Sequence, residues 1–108
     1  MRDTLKIGER EITMAANAAS PFIYQKIFQE DFERDAESVM AWRKMAYVMY
    51  KQAEIGETEL LKGKGSEADF VDWLTDFDPL EFASVIEFAA GLYARQKKIK
   101  SVPKDKGV

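Results

Sequence analysis

Cysteine and histidine are both absent from this chain of 108 residues. Without cysteine there is no disulfide framework, no thiolate metal site and no cysteine nucleophile. Without histidine the chain lacks the usual general base and the most common zinc ligand. It also lacks an apolar N-terminal leader and any run of about 18 apolar residues. We therefore expect a cytoplasmic protein that does not insert into a membrane.

Basic charge is scarce in the body of the chain. Lys and Arg number 16 against 19 Asp and Glu, which gives a net charge of −3. Residues 95–106 hold six of these basic residues and one of the acidic ones, so that segment carries +5 and residues 1–94 carry −8. A nucleic-acid-binding domain concentrates basic charge on a folded face instead. We expect no nucleic-acid partner, a single domain over residues 1–100, and a flexible basic tail over residues 101–108.

Motifs for catalysis or cofactor binding are missing as well. The chain contains no Walker A motif, no GxSxG and no GxGxxG. "KGKGS" at 62–66 lacks the spacing of a phosphate loop and reads as a linker. A group of acids could offer oxygen ligands to a cation, but without EF-hand spacing it is more simply a solvated face at a helix start. We expect no enzyme, no cofactor and no metal site; the acids in question are Asp69, Asp72, Asp76 and Asp78.

The pattern of apolar residues predicts a mainly α fold, a small bundle of about four helices with an N-terminal β-hairpin. Apolar and polar residues alternate over residues 4–14 on both sides of a turn at 8–10. Because a lone two-stranded hairpin is marginal in water, it should lean on the helices or pair with another chain. The apolar content of 46% is enough for one core.

Capping residues place the four helix starts. The first helix should span residues 21–32, with Ser20 as N-cap and proline in the first turn. Asp35 is the expected N-cap of the second helix, which runs to about residue 56. A third helix should begin after Ser66 and run to about residue 77. The fourth should follow "DPLE" at 78–81, a capping box with proline at the first position, and run to about residue 99.

The second helix is more apolar than a surface helix needs to be. Ten of the twelve residues from Val39 to Tyr50 are apolar, whereas one stripe is enough for a helix packed on one side. At 100° per residue, most of them fall in a single arc that should face the core. That arc contains Val39, Trp42, Met45, Ala46, Met49, Tyr50 and Ala53.

Three apolar residues, Met40, Tyr47 and Val48, lie outside this arc among basic residues. They either support the hairpin or the first helix, or they form an exposed patch for another chain, with methionine supplying an adaptable surface. The sequence leaves both interpretations open. On the second interpretation, the candidate partner-binding residues are Met40, Arg43, Lys44, Tyr47, Val48 and Lys51.

Several stretches resemble a known family. These are "YQKIF" at 24–28 followed by Asp31, "AYVM" at 46–49 followed by "KQA", and "FVDWL" at 70–74 followed by Phe77 and Asp78. Together with the short hairpin, they resemble the small tail assembly chaperones of long-tailed, non-contractile phages and prophages, particularly those of Gram-positive hosts. The resemblance covers about residues 4–95. One departure is "QE" at 29–30, where the family pattern has a glycine and a basic residue.

The resemblance implies a function that composition could not indicate. Such proteins coat the aggregation-prone tape measure protein in the host cytoplasm during tail assembly and are absent from the mature virion. The implied partners are the tape measure protein and, as a second candidate, the major tail tube protein. Many weak contacts by a homo-oligomer, formed through the hairpin or through the patch, would suit a long partner. A small helical adaptor or regulator that binds one partner helix would explain the apolar patch equally well.

Overall fold

The computed structural model describes the backbone of residues 1–106 and the side chains of residues 1–96. Within these residues the chain is mainly helical with an N-terminal antiparallel hairpin, as predicted. The expected count of about four helices is wrong, because two additional short helices bring the number to six. The elements are β1 (Arg2–Ile7), β2 (Arg10–Ala15), α1 (Ser20–Phe28), α2 (Phe32–Asp35), α3 (Val39–Ile55), α4 (Glu57–Glu59), a π-type turn (Leu60–Lys64), α5 (Glu67–Leu74) and α6 (Pro79–Lys106).

The hairpin packs one face on the helices. Its strands pair antiparallel, with Leu5 opposite Ile12 and a turn that begins at Gly8. Gly8 has a φ of 61°, a conformation that glycine adopts without steric cost. On β2, Ile12 and Met14 are buried and pack toward α3, while the intervening residues are more exposed. The predicted alternation is thus confirmed.

The first predicted helix is two helices. The chain leaves α1 at Gln29, which has left-handed backbone angles, and re-enters a helix at Phe32. Ser20 is not the N-cap. Its side chain is fully buried. The hydroxyl donates to Gln52 Oε1 at 2.5 Å and accepts from the backbone N–H of Asn17 at 3.1 Å. Because the hydroxyl joins this buried network, it is not available to the amides of the first turn.

Helix α3 is the centre of the fold. Its N-cap is Ser38, whose hydroxyl accepts from the Ala41 amide at 3.3 Å, and not Asp35, which ends α2. The helix packs against β2, α6, α1 and α5, so it is surrounded along most of its length. The first turn is the exception: Val39, expected in the core, is 58% exposed.

The two acidic helix starts differ in detail. Ser66 caps α5 by accepting from the Asp69 amide at 3.0 Å, but α5 ends at Leu74, earlier than predicted. The capping box of α6 is confirmed: Asp78 accepts from the Glu81 amide at 2.8 Å, and Glu81 accepts from the Asp78 amide at 3.1 Å. Helix α6 is bounded at Lys106, beyond the predicted end near residue 99. The tail expected at 101–108 lies outside the residues whose side chains are described.

An aromatic network forms the core. Eleven of the thirteen aromatic residues are linked to one another by ring contacts with centroid distances of 4.9 to 6.2 Å. All four tyrosines and both tryptophans belong to it. The network joins the "YQKIF", "AYVM" and "FVDWL" stretches, so the aromatic residues of these stretches pack together in the core.

Candidate functional site

Two of the three apolar residues outside the main stripe of α3 are not at the surface. Tyr47 and Val48 are fully buried, so these two residues cannot form part of an exposed binding patch. The Tyr47 ring contacts those of Phe28, Phe70 and Trp73. The alternative interpretation, in which the residues outside the main stripe support neighbouring elements, is correct for this pair because α3 is packed on several sides.

The two lysines beside the patch are engaged within the chain. Lys44 Nζ lies 2.8 Å from Glu30 Oε1 and 5.2 Å from the centre of the Phe28 ring, and its side chain is only 14% exposed. Lys51 Nζ lies 2.8 Å from Glu54 Oε1 and 3.5 Å from Asp69 Oδ2. Neither ammonium group projects freely toward a partner.

The turn after α1 combines a left-handed residue with an ion pair. Gln29 occupies left-handed backbone space, with φ 59° and ψ 35°, a conformation that glycine adopts at lower cost. Glu30, the next residue, pairs with the ammonium group of Lys44.

A groove opens beside the first turn of α3. It has a volume of about 380 Å³ and is bounded by that turn, the end of α5 and the start of α6. Of the six candidate partner-binding residues, Met40 and Arg43 line it. Met40 is 46% exposed, and Leu80, in the first turn of α6, is 85% exposed. The lining residues are Val39, Met40, Arg43, Leu74, Phe77, Asp78, Pro79, Phe82, Ala83 and Ile86.

The groove lies in an acidic region of the chain. Residues 65–94 contain seven Asp and Glu and neither Lys nor Arg. Asp78 lines the groove itself, and Asp76 is exposed in the same turn. Glu81 is partly neutralised because Arg10 Nη2 lies 3.6 Å from its carboxylate. Arg43 is the one basic residue among those that line the groove. A mostly apolar groove beside the two acids Asp76 and Asp78 suits an apolar segment with basic flanks.

A network of polar side chains lies at the other end of α3. Ser20, Gln52, Asn17 and Glu57 form one hydrogen-bonded network that joins the segment before α1 to the end of α3. The hydrogen bond that Asn17 donates holds the pKa of Glu57 below its ordinary value. Among the described residues, no three acidic side chains come close enough together to hold a metal ion.

Apart from Met40 and Arg43, none of the residues that line the groove is a partner-binding candidate in the sequence. No helix among the described residues is both long and apolar enough to cross a bilayer. Comparisons of the chain with protein-family models, curated proteins and solved structures found no significant match.

Proposed function

We propose that this protein is a non-enzymatic phage tail assembly chaperone that binds and solubilises the tape measure protein in the host cytoplasm and is absent from the finished virion. The observation that carries the proposal is the exposed apolar groove between α3, α5 and α6. The family resemblance of residues 4–95 supplies the identity of the partner. Neither argument depends on a catalytic group.

An open groove suits this role better than a closed pocket would. It lies at the surface, and a partner helix could lay apolar residues at i, i+3 or i+4, and i+7 into it. Met40 contributes an unbranched, adaptable side chain to the rim. A long, helical, aggregation-prone protein would present such segments repeatedly, and each copy would cover one of them.

The titratable groups of the core are consistent with a binding role. The Tyr47 hydroxyl donates to Asp69 at 2.7 Å and the Tyr50 hydroxyl donates to Glu54 at 2.9 Å. Burial first, and then these hydrogen bonds, raise the pKa of both tyrosines. Both phenols are thus kept neutral and positioned by neighbouring carboxylates, which favours packing over proton transfer.

Co-expression with the tape measure protein tests the proposal. The partner is the product of the very long helical reading frame expected next to this gene. We expect the wild-type chain to keep that product soluble and to co-purify with it. Met40→Lys should weaken the complex about tenfold, since it removes an apolar contact that the methionine makes with the bound partner.

The matched control is Val71→Lys, which places the same charge on an apolar residue that is 54% exposed and lies outside the groove. It should bind as the wild type does. A tape measure protein that precipitates equally with and without the wild-type chain would refute the function. Equal losses in the two variants would refute the role of the groove. Binding of one short partner helix but not of the tape measure protein would favour the adaptor alternative.

A further inference from the structure

The segment after Arg95 and the region before it differ sharply in charge. The thirty residues before Arg95 hold seven acids and no base, whereas residues 97–106 hold five lysines and one aspartate. The acidic region borders the groove at the start of α6. The basic segment also contains two aliphatic residues at i and i+3, Ile99 and Val102. The chain therefore carries an apolar groove beside acidic residues and, elsewhere, a basic segment with two aliphatic residues that suits this groove.

We propose that the groove of one copy receives the basic C-terminal segment, residues 97–106, of a second copy. Ile99 and Val102 would enter the apolar groove beside Met40, and the lysines around them would face the carboxylates of Asp76 and Asp78. This contact forms between two copies of the chain when no other protein occupies the groove. It does not rest on the proposed function.

The direction of α6 explains why the segment must come from another molecule. The helix contains 28 residues between Pro79 and Lys106, and at about 1.5 Å per residue it is about 42 Å long. It begins at the groove and carries the basic segment away from it. Residues 97–106 belong to the same helix and lie about 27 Å or more from its start, so they cannot fold back onto the groove of their own chain.

The contact is of the head-to-tail kind. The surface given by one copy differs from the surface used on the next, so repetition produces an open chain of molecules or a ring. Two aliphatic side chains and a few exposed charges contribute little binding free energy beyond the entropic cost of association. We therefore expect a Kd on the order of 0.1–1 mM. Because the charges are exposed, salt should weaken the contact.

Methyl NMR of the full chain distinguishes the groove from the core. Met40 lines the groove, whereas Met14, Met45 and Met49 are fully buried. Between about 20 μM and about 1 mM protein at low salt, the Met40 methyl signal should shift while the buried ones stay in place. Sedimentation over the same range should show the average mass rising. Salt at about 0.5 M should reverse both changes.

Two variants and one peptide test the occupant. Reversing charge with Lys97→Glu, Lys98→Glu and Lys100→Glu in one chain should abolish the shift, and Ile99→Ser with Val102→Ser should do the same. A peptide of residues 95–108 added to the dilute wild-type chain should move the Met40 methyl signal in the direction seen on concentration.

Each contrary result is decisive. A chain that stays monomeric at about 1 mM and ignores the peptide has no such contact. Association that persists in both tail variants would place the interface elsewhere, for example at the hairpin. If a second peptide of residues 95–108, with serine in place of Ile99 and Val102, bound as tightly as the natural one, the attraction would be charge alone, and insertion into the groove would be wrong.

Discussion

Alkaline pH should unfold this protein cooperatively, because its tyrosines are held neutral in the core. Tyr24 and Tyr47 are fully buried. Burial, followed by the neighbouring carboxylates of Glu30 and Asp69 respectively, raises the pKa of each hydroxyl well above its ordinary value of 10.0. Both hydroxyls donate toward those carboxylates, at 3.4 Å and 2.7 Å. An ionised phenolate at either site would face a carboxylate of the same charge.

The sign and size of the effect follow from proton linkage. Above pH 10 the unfolded chain loses its tyrosine protons while the folded chain keeps them, so the free energy of unfolding falls as pH rises. Each tyrosine contributes about 1.4 kcal/mol per pH unit, and the two buried ones together about 2.7 kcal/mol. A domain of this size has a total stability of about 5–15 kcal/mol. The loss should therefore reach about 5 kcal/mol by about pH 12, close to the lower end of that range.

Tyrosinate absorbance and far-ultraviolet circular dichroism, followed in one pH titration, check this prediction. The two signals should change together above about pH 11. Tyr47→Phe should lower stability at neutral pH by about 1–2 kcal/mol, through loss of the hydrogen bond to Asp69. It should also halve the slope of stability against pH. Tyr50→Phe, at a half-buried position, is the control and should change the slope less. Ionisation of all four tyrosines near pH 10 with the helical signal intact would show the reasoning to be wrong.

Three further predictions concern stability and are checked by denaturant unfolding. Gln29→Gly should stabilise by about 0.5–1 kcal/mol, because glycine relieves the left-handed conformation at φ 59°. Gly91→Ala, with open space around the added Cβ, should stabilise α6 by about 0.5–1 kcal/mol. Gly65→Ala should give no such gain, because its Cβ would lie 2.8 Å from Leu60 Cδ2 and 2.9 Å from Ile27 Cδ1, and these methyl groups would have to move. Asp78→Ala should cost about 1 kcal/mol by removing the cap of α6. No change at Asp78, or an equal gain at both glycines, would contradict these assignments.

Local signals in the sequence predicted the parts of the fold that depend on near neighbours in the chain. The capping box at Asp78 and Glu81 and the alternation in the hairpin each need only a few adjacent residues, and both were confirmed. Ser20 was misassigned because its hydroxyl has a partner 32 residues away, Gln52. A capping preference gives no information about such a distant competitor. The sequence also gives no sign of the break after α1, since Gln29 stands where a glycine or proline would mark the end of a helix.

Two of the six partner-binding candidates are buried, for a reason specific to a central helix. A helical wheel separates directions around one axis, but it does not show which directions are covered by other elements. Tyr47 and Val48 lie outside the main stripe and are still buried, because neighbouring elements cover that side of α3 as well. Val39 lies within the stripe and is exposed, because it lines the open groove beside the end of α5 and the start of α6. Burial along α3 is thus decided by position along the axis as much as by angle.

Function must therefore be tested away from the residues that carry the family resemblance. Those stretches meet in the aromatic network, where a substitution such as Tyr47→Glu would bury a charge and disrupt the fold, so loss of binding in that variant would not locate a contact. Met40, Leu80 and Val71 are exposed apolar residues, and their substitution leaves the core intact. Since Met40 lines the groove and Val71 does not, a difference between these two variants separates recognition from folding, which no substitution in the network can do.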